Sequence, residues 1–218
     1  MSQTFPYTQP LGDSAVSITF GSERTPELLE RVQTAAVSLA AARIPGVQDI
    51  VPAYLRVAIF YDPLALSYRE ISATLLEHCK SVDTLRVPQP APREHLITVA
   101  YDGPDLTHVA DTTGLSVEEV IARHTGRTYT VDIIGFVPGF AYLSELEPGL
   151  HLPRRAEPRP RVPAGSVAIA GAQTAVYPLD TPGGWHLIGR TSTTMFDPAR
   201  DPPALLQPGD KVRFEAER

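Results

Sequence analysis

The chain has 218 residues, 43% of them hydrophobic, with 25 acidic against 19 basic side chains and a formal charge of −6. That length suits two domains of ordinary size, and the negative balance opposes binding to phosphate backbones, so no nucleic-acid partner is expected. A single cysteine, Cys79, excludes an internal disulfide, and the lack of a basic or apolar leader and of any run of about 18 apolar residues points to a cytoplasmic chain with no membrane partner.

The first half alternates strand and helix periods. In "SAVSITF", Val16, Ile18 and Phe20 share one face and Ser17 and Thr19 the other, a half-buried strand. Thr25 then supplies an N-cap with Pro26 behind it, and Leu28, Leu29, Val32, Ala36 and Leu39 form one helical stripe that Pro45-Gly46 stops. "VQDIVP" and "YLRVAIFY" are strand candidates with little between them. In "SYREISATLLEHC", Ser67 and Glu70 have capping-box spacing, and Ile71, Leu75 and Leu76 supply the buried face. "VDTLRV" closes the set. The order β-α-β-β-α-β predicts a ferredoxin-like split βαβ domain over residues 1–86.

Pro88, Pro90 and Pro92 make residues 87–94 a stiff linker. The second domain, 95–218, opens with the strand "HLITVAYD", a short helix in "DLTHVADTTG" and a second helix in "SVEEVIARHTG". There Ser116 and Glu119 form another capping box and Gly126 sits at the C-terminal end. From Tyr129 onward short apolar runs are punctuated by Gly and Pro: "YTVDIIGF", "GSVAIAG", "TAVYPLD", "WHLIGRT", "DKVRFEA". This is the pattern of a β-barrel or sandwich, and the chain as a whole reads as α+β.

Motifs for self-contained chemistry are missing. There is no GxxxxGK[ST] and no GxGxxG, and the two lysines, Lys80 and Lys211, follow no glycine-rich turn, so the chain alone is not expected to bind ATP. GxSxG is absent, and the six histidines never stand at HxxxH or HExxH spacing, so no metal is expected. His124, near the end of its helix, where the macrodipole favours a protonated ring, is the candidate general acid or base; the alternative is a capping or surface histidine.

Three segments carry the remaining signal. "GFVPGFAYL" concentrates Phe136, Phe140 and Tyr142 around Pro138-Gly139, more rings than a hairpin tip needs and too many breakers for a plain core strand. "LPRRAEPRPRVPAGS" holds Arg154, Arg155, Arg159 and Arg161 on a proline-stiffened backbone, suited either to a carboxylate or phosphoryl group or to a solvated basic loop. "TPGGWHLIGRT" puts Gly183 and Gly184 before Trp185, either an anion-approaching turn with a pocket wall or a β-turn before a core ring. Three such segments in one domain favour a shared cleft.

These strings, "GFVPGFAYL", "PRRAEPRPRVPAGSVAIAG", "VYPLDTPGGWHLIGRT" and "PGDKVRFE", with "LGDSAVSITFG", "VPAYLRVAIFYDP" and "VEEVIARHTGRTYTV", resemble the bacterial B-type component of ATP-dependent 5-oxoprolinase. That family is also labelled allophanate hydrolase subunit 1, includes an inhibitor of a sporulation histidine kinase, and is related to the carboxyltransferase part of urea amidolyase. The resemblance implies a C-terminal cyclophilin-like β-barrel behind a smaller α+β domain. It implies a C-type partner of related fold, an A-type subunit in the full enzyme, and conversion of 5-oxo-L-proline to L-glutamate with ATP consumed in the assembled complex. Two other readings stand beside it: a regulator that binds a sensor histidine kinase, and a carboxyltransferase or allophanate hydrolase component of urea breakdown. The candidate substrate-binding set is Phe136, Gly139, Phe140, Tyr142, Arg154, Arg159, Tyr177, Gly183, Gly184 and Trp185.

Overall fold

A four-stranded antiparallel sheet, a seven-stranded sheet curled nearly into a barrel and a two-stranded ribbon organise the computed structural model, which describes residues 4–80 and 91–217. The chain divides into two units, Met1–Ala91 and Pro92–Arg218. Residues 81–90 fall outside the described ones, and with them the expected strand "VDTLRV" and the first part of the expected linker.

The first unit runs β1 (Tyr7–Pro10), β2 (Ala15–Thr19), α1 (Pro26–Ala42), β3 (Val47–Ala53), β4 (Arg56–Tyr61) and α2 (Tyr68–Lys80), with sheet order β1-β2-β4-β3. Local signals set the helix starts. Thr25 Oγ1 accepts from the Leu28 amide at 3.2 Å, and Ser67 and Glu70 cap reciprocally, the Ser67 amide donating to Glu70 Oε2 at 2.9 Å and the Glu70 amide to Ser67 Oγ at 3.3 Å. Because β2 and β3 both pair antiparallel with β4 between them, they are parallel to each other, which is the split βαβ relation. Val16, Ile18, Phe20, Val57 and Ile59 meet Val32, Leu39, Ile71 and Leu75 of the helices in one core. Strand β1 is absent from the sequence reading. Its prolines confine it to an edge, and it takes the edge beside β2.

The second unit contains β5 (Glu94–Val99), α3 (Leu106–Thr113), α4 (Val117–Thr125), β6 (Thr128–Ile134), β7 (Ala141–Ser144), β8 (Arg159–Val162), β9 (Ser166–Ala170), β10 (Gln173–Val176), β11 (Thr181–Gly183), β12 (His186–Arg190) and β13 (Lys211–Ala216). Seven strands form one sheet in the order β12-β9-β10-β7-β6-β13-β5, antiparallel except for β13 with β5. Its edges meet where the Ala100 amide donates to Arg190 O at 2.8 Å and the Arg190 amide returns to Ala100 O at 2.9 Å, so the barrel is nearly closed. The fold is therefore mixed α/β, with this barrel-like sheet and four helices among the described residues.

Strand β9 is buried along its whole length because both faces of its sheet are covered. Val167 and Ile169 face a large core with Val99, Val131, Leu143 and Phe214, closed by Val109 and Val120 of α3 and α4. Ala168 and Ala170 face the other way, into a smaller cluster under the β8–β11 ribbon. No helix among the described residues is long and apolar enough to cross a membrane.

Candidate functional site

The smaller cluster is aromatic. Phe140 sits edge-on to Tyr142 (4.8 Å), Tyr177 (5.2 Å) and Trp185 (5.7 Å), and Tyr142 is edge-on to Trp185 at 5.9 Å. All three sequence segments thus converge here, and the rings divide in role. Phe140, Tyr177 and Trp185 are buried, Tyr142 is half-buried, and Phe136 is 61% exposed while still touching Phe140 edge-on at 5.5 Å. Phe136 has φ +70°, a left-handed conformation that costs a non-glycine residue about 1 to 3 kcal/mol. Gly139 has φ +77° and a Cβ there would lie 2.7 Å from Phe196 Cβ, so glycine is required on both counts.

Gly183 serves the cluster by being small. A Cβ at 183 would run into the Tyr177 hydroxyl, so the residue opens room for the phenol. Gly184 has ordinary space around it, and its carbonyl accepts from the Arg155 amide at 2.8 Å. Burial raises the Tyr177 pKa above its ordinary value, against a lowering hydrogen bond from the Trp185 backbone and the nearby charges of Arg154 and Arg159. The phenol is therefore neutral at physiological pH.

The four arginines separate by partner. Arg155 Nη1 and Arg159 Nη2 each donate to Asp105 Oδ1 at 2.8 Å, and Arg161 binds Asp180. Arg154, among the described residues, forms no hydrogen bond or ion pair. Of the two arginines put forward for an anion, Arg159 is thus committed to a carboxylate of the protein itself and Arg154 is available.

Asp105, which sequence reasoning missed, is the hub of this region. At the N-cap of α3 an aspartate ordinarily accepts from first-turn amides. Here it does not; its Oδ2 accepts from the Leu187 amide at 2.7 Å while its own amide donates to Leu187 O at 3.0 Å. Burial pushes its carboxyl up, but the Arg159 hydrogen bond, the Leu187 amide and the two guanidinium charges outweigh it and hold the pKa below the usual carboxylate value.

His124 is a core residue. It is 0% exposed, ringed by Phe214 at 4.6 Å and Tyr129 at 5.5 Å. The single hydroxyl proton of Thr174 goes to Ala168 O at 3.0 Å, so Thr174 Oγ1 accepts from His124 Nε2–H at 2.9 Å, and Nδ1 accepts from the Tyr101 hydroxyl at 2.6 Å. Burial lowers its pKa to about 3, so desolvation overrides the helix-end field expected to favour a charged ring. Its ring contacts are Tyr101, Tyr129 and Phe214, none of them in the aromatic cluster, and with no exposed surface it presents no atom to a ligand in this conformation. The sign of the pH effect follows. A histidine with a depressed folded pKa gives its full stability above its unfolded value of about 6.5 and loses it as pH falls toward the folded value. Unfolding free energy measured in urea should drop by about 2 kcal/mol between about pH 6.5 and about pH 5, at roughly 1.4 kcal/mol per unit. A flat profile across that window would show that His124 takes up protons in the folded chain.

A pocket lies beside the arginine segment. It encloses about 490 Å³ between α3 and residues 152–157, lined by His108, Thr112, Arg154, Arg155, Glu157 and His186 among others. Residues 185 and 186 face opposite ways at the start of β12, so Trp185 joins the aromatic cluster and His186 the pocket.

The family model for the carboxyltransferase domain, subdomain C and D, matches residues 6–206. A Bacillus subtilis protein, named as the B component of 5-oxoprolinase, is 39% identical over 94% of this chain and 90% of its own length. The chain belongs to the 5-oxoprolinase B-component family. An Escherichia coli protein of the same name is 57% identical over 58% of this chain and 59% of its own. Among solved structures, a conserved uncharacterized protein from Pyrococcus horikoshii is 39% identical with TM-score 0.56, covering 96% of this chain and 97% of that one. TTHA0988 is 43% identical at TM-score 0.82 over 94% of this chain, which spans 40% of that longer chain. Kluyveromyces lactis urea carboxylase, at 18% identity and TM-score 0.79 over 97% of this chain and 22% of its own, shares the fold. Within this member of the 5-oxoprolinase family, Phe136 and Arg154 of the expected set are exposed and Tyr142 is half-buried, while Phe140, Trp185, Gly139 and Gly183 build the wall behind them.

Proposed function

We propose that this chain is the B-type component of an ATP-dependent 5-oxoprolinase, a non-autonomous part of a complex with A- and C-type subunits that converts 5-oxo-L-proline to L-glutamate. The observation that carries the reading is the match to the Bacillus subtilis 5-oxoprolinase component along nearly the whole of both chains. The finer fold assignment, a ferredoxin-like first unit and a cyclophilin-like second, goes with it, as does a place in the cytoplasm.

A lactam amide is stabilised by resonance, so opening it calls for a better electrophile, and phosphorylating its oxygen makes one. The anionic intermediate must then be shielded from water and its charge met by fixed donors. Phe136 and Tyr142 offer a face for the ring, and the exposed Arg154 is the cation of the expected set that is left to meet the charge. The chain's own residues do not fit a triphosphate. Lys80 is paired with Glu77 at 2.6 Å, Lys211 donates to Thr130 Oγ1 at 2.7 Å, and neither stands beside a glycine-rich loop. We assign ATP to the other subunits. The purified chain should accordingly show no ATP turnover with or without 5-oxoproline, and should retain a C-type subunit on co-purification. Robust turnover by the isolated chain would overturn the assignment.

A further inference from the structure

We propose that Arg155 and Arg159, which share the Asp105 carboxylate, form one site for an oxyanion of a small ligand, a carboxylate or phosphoryl group that bridges the two guanidiniums. The inference concerns the isolated chain and does not depend on its assignment to 5-oxoprolinase.

Charge carries the first part of the argument. Arg155 Nη1 and Arg159 Nη2 donate to the same oxygen, Asp105 Oδ1, at 2.8 Å each, so two guanidiniums that stay cationic at any physiological pH meet one negative charge. The other carboxylate oxygen, Oδ2, accepts from the Leu187 amide at 2.7 Å. The group of three therefore keeps one net positive charge. With 31% and 23% of their side chains exposed, the two arginines give only part of that charge to water. On the covering segment, the exposed Arg154 and Glu157 offset each other and leave the balance unchanged.

Hydrogen bonding carries the second part. Contact with Asp105 uses one nitrogen of each guanidinium, and Arg155 Nε and Arg159 Nη1 are buried donors with no hydrogen-bond partner among the described residues. Buried donors left unmatched are uncommon in native chains. A guanidinium has no acceptor and no neutral form at physiological pH, so an oxyanion satisfies both nitrogens without any proton being taken up. A water would meet the hydrogen bonds and not the charge. Anchoring on one oxygen atom keeps the two planar groups side by side, as an oxyanion spanning both requires. Arg155 also lines the pocket of about 490 Å³ between α3 and residues 152–157, which is within the range of small-molecule sites, about 300 to 1,000 Å³, and gives a ligand its way to the pair.

Titration calorimetry on the purified full chain, with sulfate and 5-oxo-L-proline as probes, tests this without ATP or a second protein. The wild type should bind at least one of them at millimolar concentration, and its melting temperature should rise with that probe but not with chloride at equal ionic strength. Sulfate alone would assign a phosphoryl group and 5-oxo-L-proline alone a carboxylate. Arg155→Gln and Arg159→Gln should each weaken binding by about tenfold or more, because removing either guanidinium leaves the other balanced by Asp105 with no charge to spare. If either variant fails to fold, the corresponding lysine variant, which keeps the charge beside Asp105 but loses the planar fork, carries the test and should still bind more weakly than wild type. Arg161→Gln, whose partner is Asp180, should bind as wild type does. No binding of either probe, binding undiminished in either arginine variant, or an equal loss in Arg161→Gln overturns the site. Glutamate release that persists when the chain is left out of a reconstituted complex defeats only the 5-oxoprolinase assignment.

Discussion

Phe140→Ala is expected to cost about 3 to 5 kcal/mol of folding stability, the range for emptying a buried phenylalanine site. The ring is 2% exposed and makes edge contacts with Phe136, Tyr142, Tyr177 and Trp185 at 4.8 to 5.7 Å, so its removal leaves a cavity that four other aromatic rings border. Those rings cannot collapse into the space freely. Gly139 ties the turn to Phe196, and Tyr177 is fitted against Gly183. The result expected in urea or thermal unfolding is a clear loss of stability. Full stability with selective loss of activity would instead return Phe140 to the ligand face, where its place in "GFVPGFAYL" first put it.

Asp105→Ala should cost about 3 kcal/mol, the lower end of the range for removing one partner of a buried ion pair. The carboxylate is 5% exposed, while Arg155 and Arg159 keep 31% and 23% of their side chains in water and can recover part of the loss. What cannot be recovered is the acceptor for the Leu187 amide, buried at 2.7 Å from Oδ2. The pH dependence runs with the sign of a depressed acid. The Asp105 contribution is fully present above the unfolded carboxyl pKa of about 3.9 and disappears as pH falls through the lower folded value. Wild type should therefore lose this increment on acidification below about pH 4, and Asp105→Ala should not. Equal stability of the two proteins at neutral pH would contradict the hub assigned to this residue.

Those two residues also mark where the sequence was legible. The capping boxes at Ser67/Glu70 and Ser116/Glu119 are local devices, three residues apart, and both stand in the structure as their spacing implied. Alternation in "SAVSITF" put Val16, Ile18 and Phe20 in the core as expected, but the strand is not half-buried, since Ser17 and Thr19 on its other face are buried as well. The short strand β1 was hidden by Pro6 and Pro10, which read as loop until an edge position makes them tolerable. Convergence of the three motif segments was legible from composition. Which side chain faces a ligand and which fills the wall was not, since that depends on the turn at Pro138-Gly139 and on the room left at Gly183. The Asp105 pairing to arginines 50 and 54 residues away leaves no local trace. At His124 a local rule, the helix-end field, lost to a tertiary fact, complete enclosure among Tyr101, Tyr129 and Phe214. His186 was one of six unremarkable histidines until the fold set its ring against Pro153 O and His108.

If this chain is a required component that presents an aromatic face, Phe136 is the residue that separates face from wall. The direct test is glutamate release from 5-oxoproline and ATP by purified A- and C-type subunits, with this chain omitted, supplied as wild type, or supplied as Phe136→Gly. Phe136 is 61% exposed at φ +70°, so glycine should leave the melting temperature unchanged or slightly higher. The expected result is no release without the chain, full release with wild type, and release reduced by about tenfold, roughly 1.4 kcal/mol of transition-state stabilisation, with the variant. Undiminished release when the chain is left out would contradict the account.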